Sequence, residues 1–241
     1  MSLNKVAVIT GGAKGLGLEA AKLLARDHQV VLTARSEKAG QQAQLALAES
    51  GTEVDFLPLD ISSDESVDLF MKALMARYGR CDVLINNAAI FFDWENSASQ
   101  IDLSELSATF ETNVIGSARI SKALMPLLLA SDNGKVIFLS SDLGSLNYAA
   151  DPEHEYFPIN GLAYRISKSA LNMYALALAK ECDDTQIAVT VVSPGWCKTD
   201  MGTDKAPRSA IEGAQSIYMA VKGDGKQFHR KFILDGNELA W

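Results

Sequence analysis

The sequence predicts an α/β fold: an open, doubly wound parallel sheet of about seven strands with helices on both faces, built as a single domain. Two observations predict it. Short β-branched or apolar runs alternate from end to end with segments of helical periodicity, and a glycine-rich turn joins the first strand directly to the first helix. Right-handed crossovers make a parallel sheet the default for such an alternation. Ligands then bind at the carboxyl ends of the strands.

The elements follow in order. Val6-Ala7-Val8-Ile9 is apolar without interruption, as a strand covered on both faces requires, and helical spacing occupies 16–26. Val30-Val31-Leu32 and Val54-Asp55-Phe56-Leu57 supply the next two strands, each followed by a helical segment, 37–50 and 64–78. Val83-Leu84-Ile85 precedes one long helix over 103–129, and Val136-Ile137-Phe138-Leu139 precedes a helix over 163–180. Val189-Thr190-Val191-Val192, a helix around 209–221 and Lys231-Phe232-Ile233-Leu234 complete the pattern. No linker, repeat or low-complexity stretch divides the chain. Residues 1–241 therefore read as one domain, with loops near 142–162 and 196–212 left to meet a substrate.

Composition narrows the function. With 48% hydrophobic and 22% charged residues in 241, the chain can bury a sizeable core. A formal net charge of −8 disfavours nucleic acid and anionic membranes as partners. No apolar run approaches the roughly 18 residues of a membrane span, and strand one leaves no room for a signal segment, so a cytoplasmic protein is expected. Cys81, Cys182 and Cys197 are scattered, as are the three histidines, which argues against a disulfide framework and against a metal site.

The turn after strand one reads Thr10-Gly11-Gly12-Ala13-Lys14-Gly15-Leu16-Gly17. Gly11 permits the tight turn, Gly15 lets backbone approach a pyrophosphate, Gly17 lets the helix pack closely, and the helix N-terminus offers free N–H donors. Strand two ends in Thr33-Ala34-Arg35 rather than in the acid that would accept an adenosine 2′-hydroxyl. Arg35 and Lys14 together suit a 2′-phosphate, which points to NADP(H); singly, each is equally at home as a solvated surface cation.

Tyr164 and Lys168 stand four residues apart and share one helical face. A free tyrosine, with a pKa near 10, exchanges protons poorly at neutral pH. A cation about 4–6 Å away at an effective dielectric near 20 contributes about 3–4 kcal/mol, which would make the phenol a better acid. The pair alone could equally be an ordinary helix surface.

With these motifs in this order, nearly the whole chain resembles the short-chain dehydrogenase/reductase family, in its compact branch with the Thr-Gly-x-x-x-Gly-x-Gly turn and Rossmann-type sheet. The resemblance implies that Asp60, with neighbouring Ile61, meets the adenine ring. It implies that Asn87 and Ala88 of Asn86-Asn87-Ala88-Ala89 line the cofactor, although Ala89 replaces the usual glycine and needs a negative φ. Leu16 joins the glycine turn at the phosphates, Pro194-Gly195 lies beneath the nicotinamide, and Thr199 meets the carboxamide or phosphate.

The resemblance also implies an active tetrad of Asn113, Ser141, Tyr164 and Lys168. In it Tyr164 gives a proton to a carbonyl oxygen that Ser141 holds, Lys168 lowers the tyrosine pKa and grips the ribose, and Asn113 supports a water-linked proton path. Val31-Leu32-Thr33-Ala34-Arg35 and the segment from Pro194 to Met201 look like the carbonyl reductases, with plant ketone reductases close behind.

Ser141 and Tyr164 are 23 positions apart, which implies an inserted loop beside the active site. Its Tyr148, together with Phe92, Trp94, Trp196 and Met201, is expected to line a substrate pocket, with simple packing of these aromatics as the alternative. The expected activity is NADPH-dependent reduction of aldehydes and ketones by a monomer or dimer. Its rivals are a specialised alcohol, steroid or sugar dehydrogenase, a nucleotide-sugar epimerase or dehydratase, and a non-catalytic NADP(H) sensor.

Overall fold

The computed structural model describes residues 5–92 and 97–241. Eight strands form one sheet in the order β3-β2-β1-β4-β5-β6-β7-β8. They are β1 Lys5–Ile9, β2 His28–Ala34, β3 Asp55–Pro58, β4 Val83–Asn86, β5 Lys135–Leu139, β6 Ala188–Val192, β7 Phe232–Leu234 and β8 Asn237–Glu238. The first seven pair in parallel; β8 is a two-residue antiparallel edge on β7 that the sequence pattern did not announce.

Period-two alternation sends neighbouring strand residues to opposite faces, and each face carries its own core. Val6 and Val8 join Val136, Phe138 and Val191 under the helices α3 Asp64–Arg77, α5 Ser117–Leu129 and α7 Leu162–Glu181, which contribute Phe70, Leu124 and Leu171. Ala7, Ile9, Leu32 and Ile85 meet Leu24 of α1 Gly15–Leu24, Leu47 of α2 Glu37–Glu49 and Ile217 of α8 Ala210–Lys222 on the other face. Side chains fix several helix starts: Ser36 and Ser63 cap α2 and α3, and Ser209 with Glu212 forms a capping box on α8.

The single helix expected over 103–129 is three segments. Between α4 Leu103–Phe110 and α5 lies a π-helical turn, Glu111–Gly116. The wider turn carries Asn113 into the interior, where the Ser117 hydroxyl donates to its carbonyl at 2.9 Å. The insertion before Tyr164 is also partly ordered, with a 3-10 turn at Asp142–Gly144 and a short helix α6 at Leu146–Ala150.

From β1 the chain steps outward to β2 and β3, then returns to place β4 on β1's other flank. That reversal opens a crevice above the carboxyl ends of β1 and β4.

Candidate active site

The glycine turn sits over this crevice, and its backbone explains its composition. Gly11 has φ +63° and Gly15 φ +56°, in the left-handed region, and a Cβ on Gly11 would lie 2.9 Å from Ala88 Cα. Gly17 makes room for Asn87, whose Nδ2 would meet a Cβ there at 2.6 Å. That Nδ2 donates to Thr10 O at 2.8 Å and to Gly11 O at 3.0 Å. The Asn87 amide is therefore a brace for the turn. Ala89, which replaces the family's glycine, has no positive φ, so its methyl fits the backbone.

A cavity of about 450 Å³ runs from this turn to α7. Gly11, Lys14, Gly15, Leu16, Arg35, Asp60, Ile61, Asn87, Ala88, Pro194 and Thr199 all line it, together with Tyr164 and Lys168 at its far end. Gly17 and Gly195, like Ser141 and Asn113, are not among the lining residues. Gly195, with φ +71°, packs on the Arg208 side chain. Ser36, Thr112 and Asp200 also line the cavity, although nothing in their sequence spacing marked them.

These residues suit an anionic dinucleotide. The N-terminus of α1 has no side-chain cap, so its first N–H groups are available to a phosphate. Arg35 is exposed at the end of β2, and its charge helps to hold Asp60 below the usual carboxylate range; burial acts the other way, and Ser62 supplies the larger downward pull. Lys14, the second expected phosphate ligand, is ion-paired with Asp200 at 2.6 Å.

At the far end the Ser141 side chain, which eases ionisation of the Tyr164 phenol, accepts through its Oγ from Leu143 N at 3.2 Å. Lys168 is buried; its Nζ donates to Leu139 O at 2.6 Å and lies 5.4 Å from the centre of the Tyr164 ring. Phe91 packs edge-on against the same ring, 5.4 Å between centroids.

The expected easing of the tyrosine proton is not what these surroundings produce. Burial pushes the phenol above its ordinary value, the Ser141 side chain opposes the rise, and Asp142 adds to it. Burial also draws the Lys168 ammonium down to about 7. Spacing along a helix shows that two groups are neighbours; it does not show that both are desolvated, and desolvation disfavours each charged form.

Asn113 is held by three side-chain hydrogen bonds. Its Nδ2 donates to Ile90 O and to Ser167 Oγ, both at 3.0 Å, and its Oδ1 accepts from Ile90 N at 2.8 Å. The side chain ties the loop after β4 to α7.

Of the five expected pocket residues, Met201 lines the cavity, while Phe92, Tyr148 and Trp196 do not. Tyr148 stacks on His154 with ring centroids 4.1 Å apart, Phe92 is exposed, and Trp196 Nε1 donates to Gly202 O within its own loop. Trp94 lies outside the described residues. Among the described residues no group of His, Cys, Asp and Glu could hold a metal ion, and no helix is long and apolar enough to cross a membrane.

Comparison with known proteins agrees with this geometry. A family model described as short chain dehydrogenase matches residues 5–210. The short-chain dehydrogenase anuI of Penicillium roqueforti is 35% identical over 245 residues, covering 96% of this chain and 94% of that protein. Carbonyl reductase (NADPH) 1 of Sus scrofa is 31% identical over 281 residues, covering 100% and 96%. The crystal structure of NADPH-bound carbonyl reductase from chicken fatty liver superposes with a TM-score of 0.86 at 25% identity over the full length of both chains.

Proposed function

The chain belongs to the short-chain dehydrogenase family, and on that premise we propose that it reduces aldehyde and ketone carbonyls to alcohols with NADPH. One observation carries the reading: the Tyr164 phenol, with the Lys168 ammonium nitrogen 5.4 Å from its ring centre, stands at the end of the same cavity that begins at the glycine turn and Arg35.

The residues divide the work. The glycine turn and the α1 N-terminus hold the pyrophosphate, Arg35 and Lys14 the 2′-phosphate, and Asp60 with Ile61 the adenine ring. Pro194 and Gly195 shape the floor under the nicotinamide, and Thr199 offers its hydroxyl there. NADPH, when bound, supplies the hydride that reaches the carbonyl carbon. Ser141 Oγ orients the carbonyl oxygen, and Tyr164 Oη gives that oxygen its proton. A phenol held fully protonated, as burial holds this one, suits the donating direction. Lys168 stands where it can bond a ribose hydroxyl and, once charged, favour the phenolate left after transfer. Asn113 keeps the loop at Ile90 and the start of α7 in register around these groups.

Support for NADP over NAD comes from Arg35, from the absence of an acid at the end of β2, and from relatives whose names carry NADPH. Loss of nicotinamide absorbance on mixing NADPH with aldehydes, quinones, α-dicarbonyls and cyclic ketones tests the reading. Turnover supports a reductase; tight NADPH binding without turnover across the panel would favour a sensor.

A further inference from the structure

The loop that leaves β3 shapes the end of the cavity assigned to the adenine, and it does so beyond the sheet's hydrogen-bond ladder. Leu59 N still donates to Ala34 O at 3.1 Å; the next two residues, Asp60 and Ile61, line the cavity and depend on side chains for their placement. Asp60 is fixed from its own side. Its N donates to Ser66 Oγ at 2.8 Å, and its Oδ1 accepts from Ser62 N at 2.9 Å and from Ser62 Oγ at 2.6 Å. Ile61 is fixed from across the loop, by α5.

Arg119, in the first turn of α5, donates from Nη1 to Ile61 O at 2.8 Å, from Nε to Asp64 Oδ1 at 2.5 Å and from Nη2 to Glu111 Oε1 at 3.1 Å. All three guanidinium nitrogens are thus engaged, on acceptors from three segments, a span that an ammonium does not match. Gly116, three residues earlier, lets the helix come close: a Cβ there would stand 2.8 Å from Ile61 Cγ1 and 3.1 Å from Ile61 O. A brace between α3 and the π turn would need only Asp64 and Glu111. The Asp64 side chain is 86% exposed, so that pair contributes little to stability. The bond to Ile61 O is the one that acts on a residue of the cavity.

We propose that Arg119 is a positioning residue for the adenine ring: by holding Ile61 O against α5, where Gly116 makes room, it sets the wall on which the adenine lies. Displacing that wall costs affinity for the adenylate half of the cofactor and leaves the hydride and proton donors in place. The inference rests on adenine lying against Asp60 and Ile61, as proposed above.

Arg119→Met keeps most of the aliphatic stem and removes all three bonds. Calorimetric titration with 2′,5′-ADP, which carries the adenine and the 2′-phosphate without the nicotinamide, should show affinity falling about tenfold, with Arg119→Lys between at about threefold. NADPH and NADH should weaken alike, because the adenine is common to both; a change at Arg35 should instead alter their ratio. The KM for NADPH should rise with its Kd while kcat at saturation stays within about threefold. Parent-like affinity for 2′,5′-ADP in folded Arg119→Met would overturn the proposal, as would a loss confined to NADPH or a fall in kcat as large as the fall in affinity. If Arg119→Met does not fold, Arg119→Lys carries the same decision. Ile61→Ala separates the two readings. Parent-like binding of 2′,5′-ADP by that variant would show that the adenine does not lie on Ile61; weakened binding there, with Arg119→Met unaffected, would remove Arg119 alone.

Discussion

Lys14 Nζ lies 2.6 Å from Asp200 Oδ2, an ion pair that joins the glycine turn to the loop after β6 across the mouth of the cavity. Both side chains are largely exposed, so the pair contributes little to stability. Its effect falls on the cofactor: one of the two cations placed for a phosphate already has a carboxylate on it.

Asp200→Asn should therefore tighten NADPH binding, by about two- to fivefold at low ionic strength and less as salt screens the pair. Calorimetric titration at two salt concentrations reads this directly, and weaker binding in the variant would show that Asp200 helps to hold the cofactor.

Arg35→Asp should weaken NADPH by roughly 10- to 100-fold while changing NADH little, because only the former presents a phosphate to that position. An unchanged ratio of the two dissociation constants would remove Arg35 as the 2′-phosphate ligand.

Gly17→Ala introduces a methyl 2.6 Å from Asn87 Nδ2. The amide must swing away from Thr10 O and Gly11 O, loosening the turn they belong to. NADPH affinity should drop roughly tenfold with a smaller change in thermal stability, since the loss is of local order and not of core. A wild-type Kd in Gly17→Ala would show that the brace is dispensable.

Lys168 titrates near 7 in the folded protein and near its ordinary value when unfolded, so between about pH 7 and pH 10 the unfolded chain binds more protons. Stability should rise with pH through that window. Lys168→Met should flatten the rise, which urea unfolding at several pH values would detect.

Much of this molecule was legible before its structure. The runs at Val6, Val30, Val83, Val136 and Val189 are all in strands, because a parallel sheet covered on both faces leaves long apolar stretches with no polar interruption. The glycine turn was legible because its flanks, a strand and a helix, give the glycines their meaning. Other features had no local signal. The π turn at Glu111–Gly116 differs from its neighbours by one residue per turn, a change that periodicity over 103–129 does not resolve. Lys14 and Asp200 are 186 positions apart, and no pattern pairs them. Aromatic residues near the insertion suggested a pocket wall, yet Tyr148 found His154 and Trp196 found Gly202, since an aromatic with a polar edge is satisfied as readily by its own loop as by a ligand. The pKa of Tyr164 moved opposite to expectation because burial, which sequence spacing does not report, outweighs the downward pull of the Ser141 side chain, while burial also disfavours the charge on Lys168.

The most direct test is Tyr164→Phe, which removes one oxygen and leaves the ring against Phe91. With NADPH and a carbonyl substrate accepted by the parent protein, kcat should fall by about two to four orders of magnitude while the NADPH dissociation constant stays within a few-fold. Turnover close to that of the parent, with NADPH still bound, would contradict the assignment of Tyr164 as the proton donor.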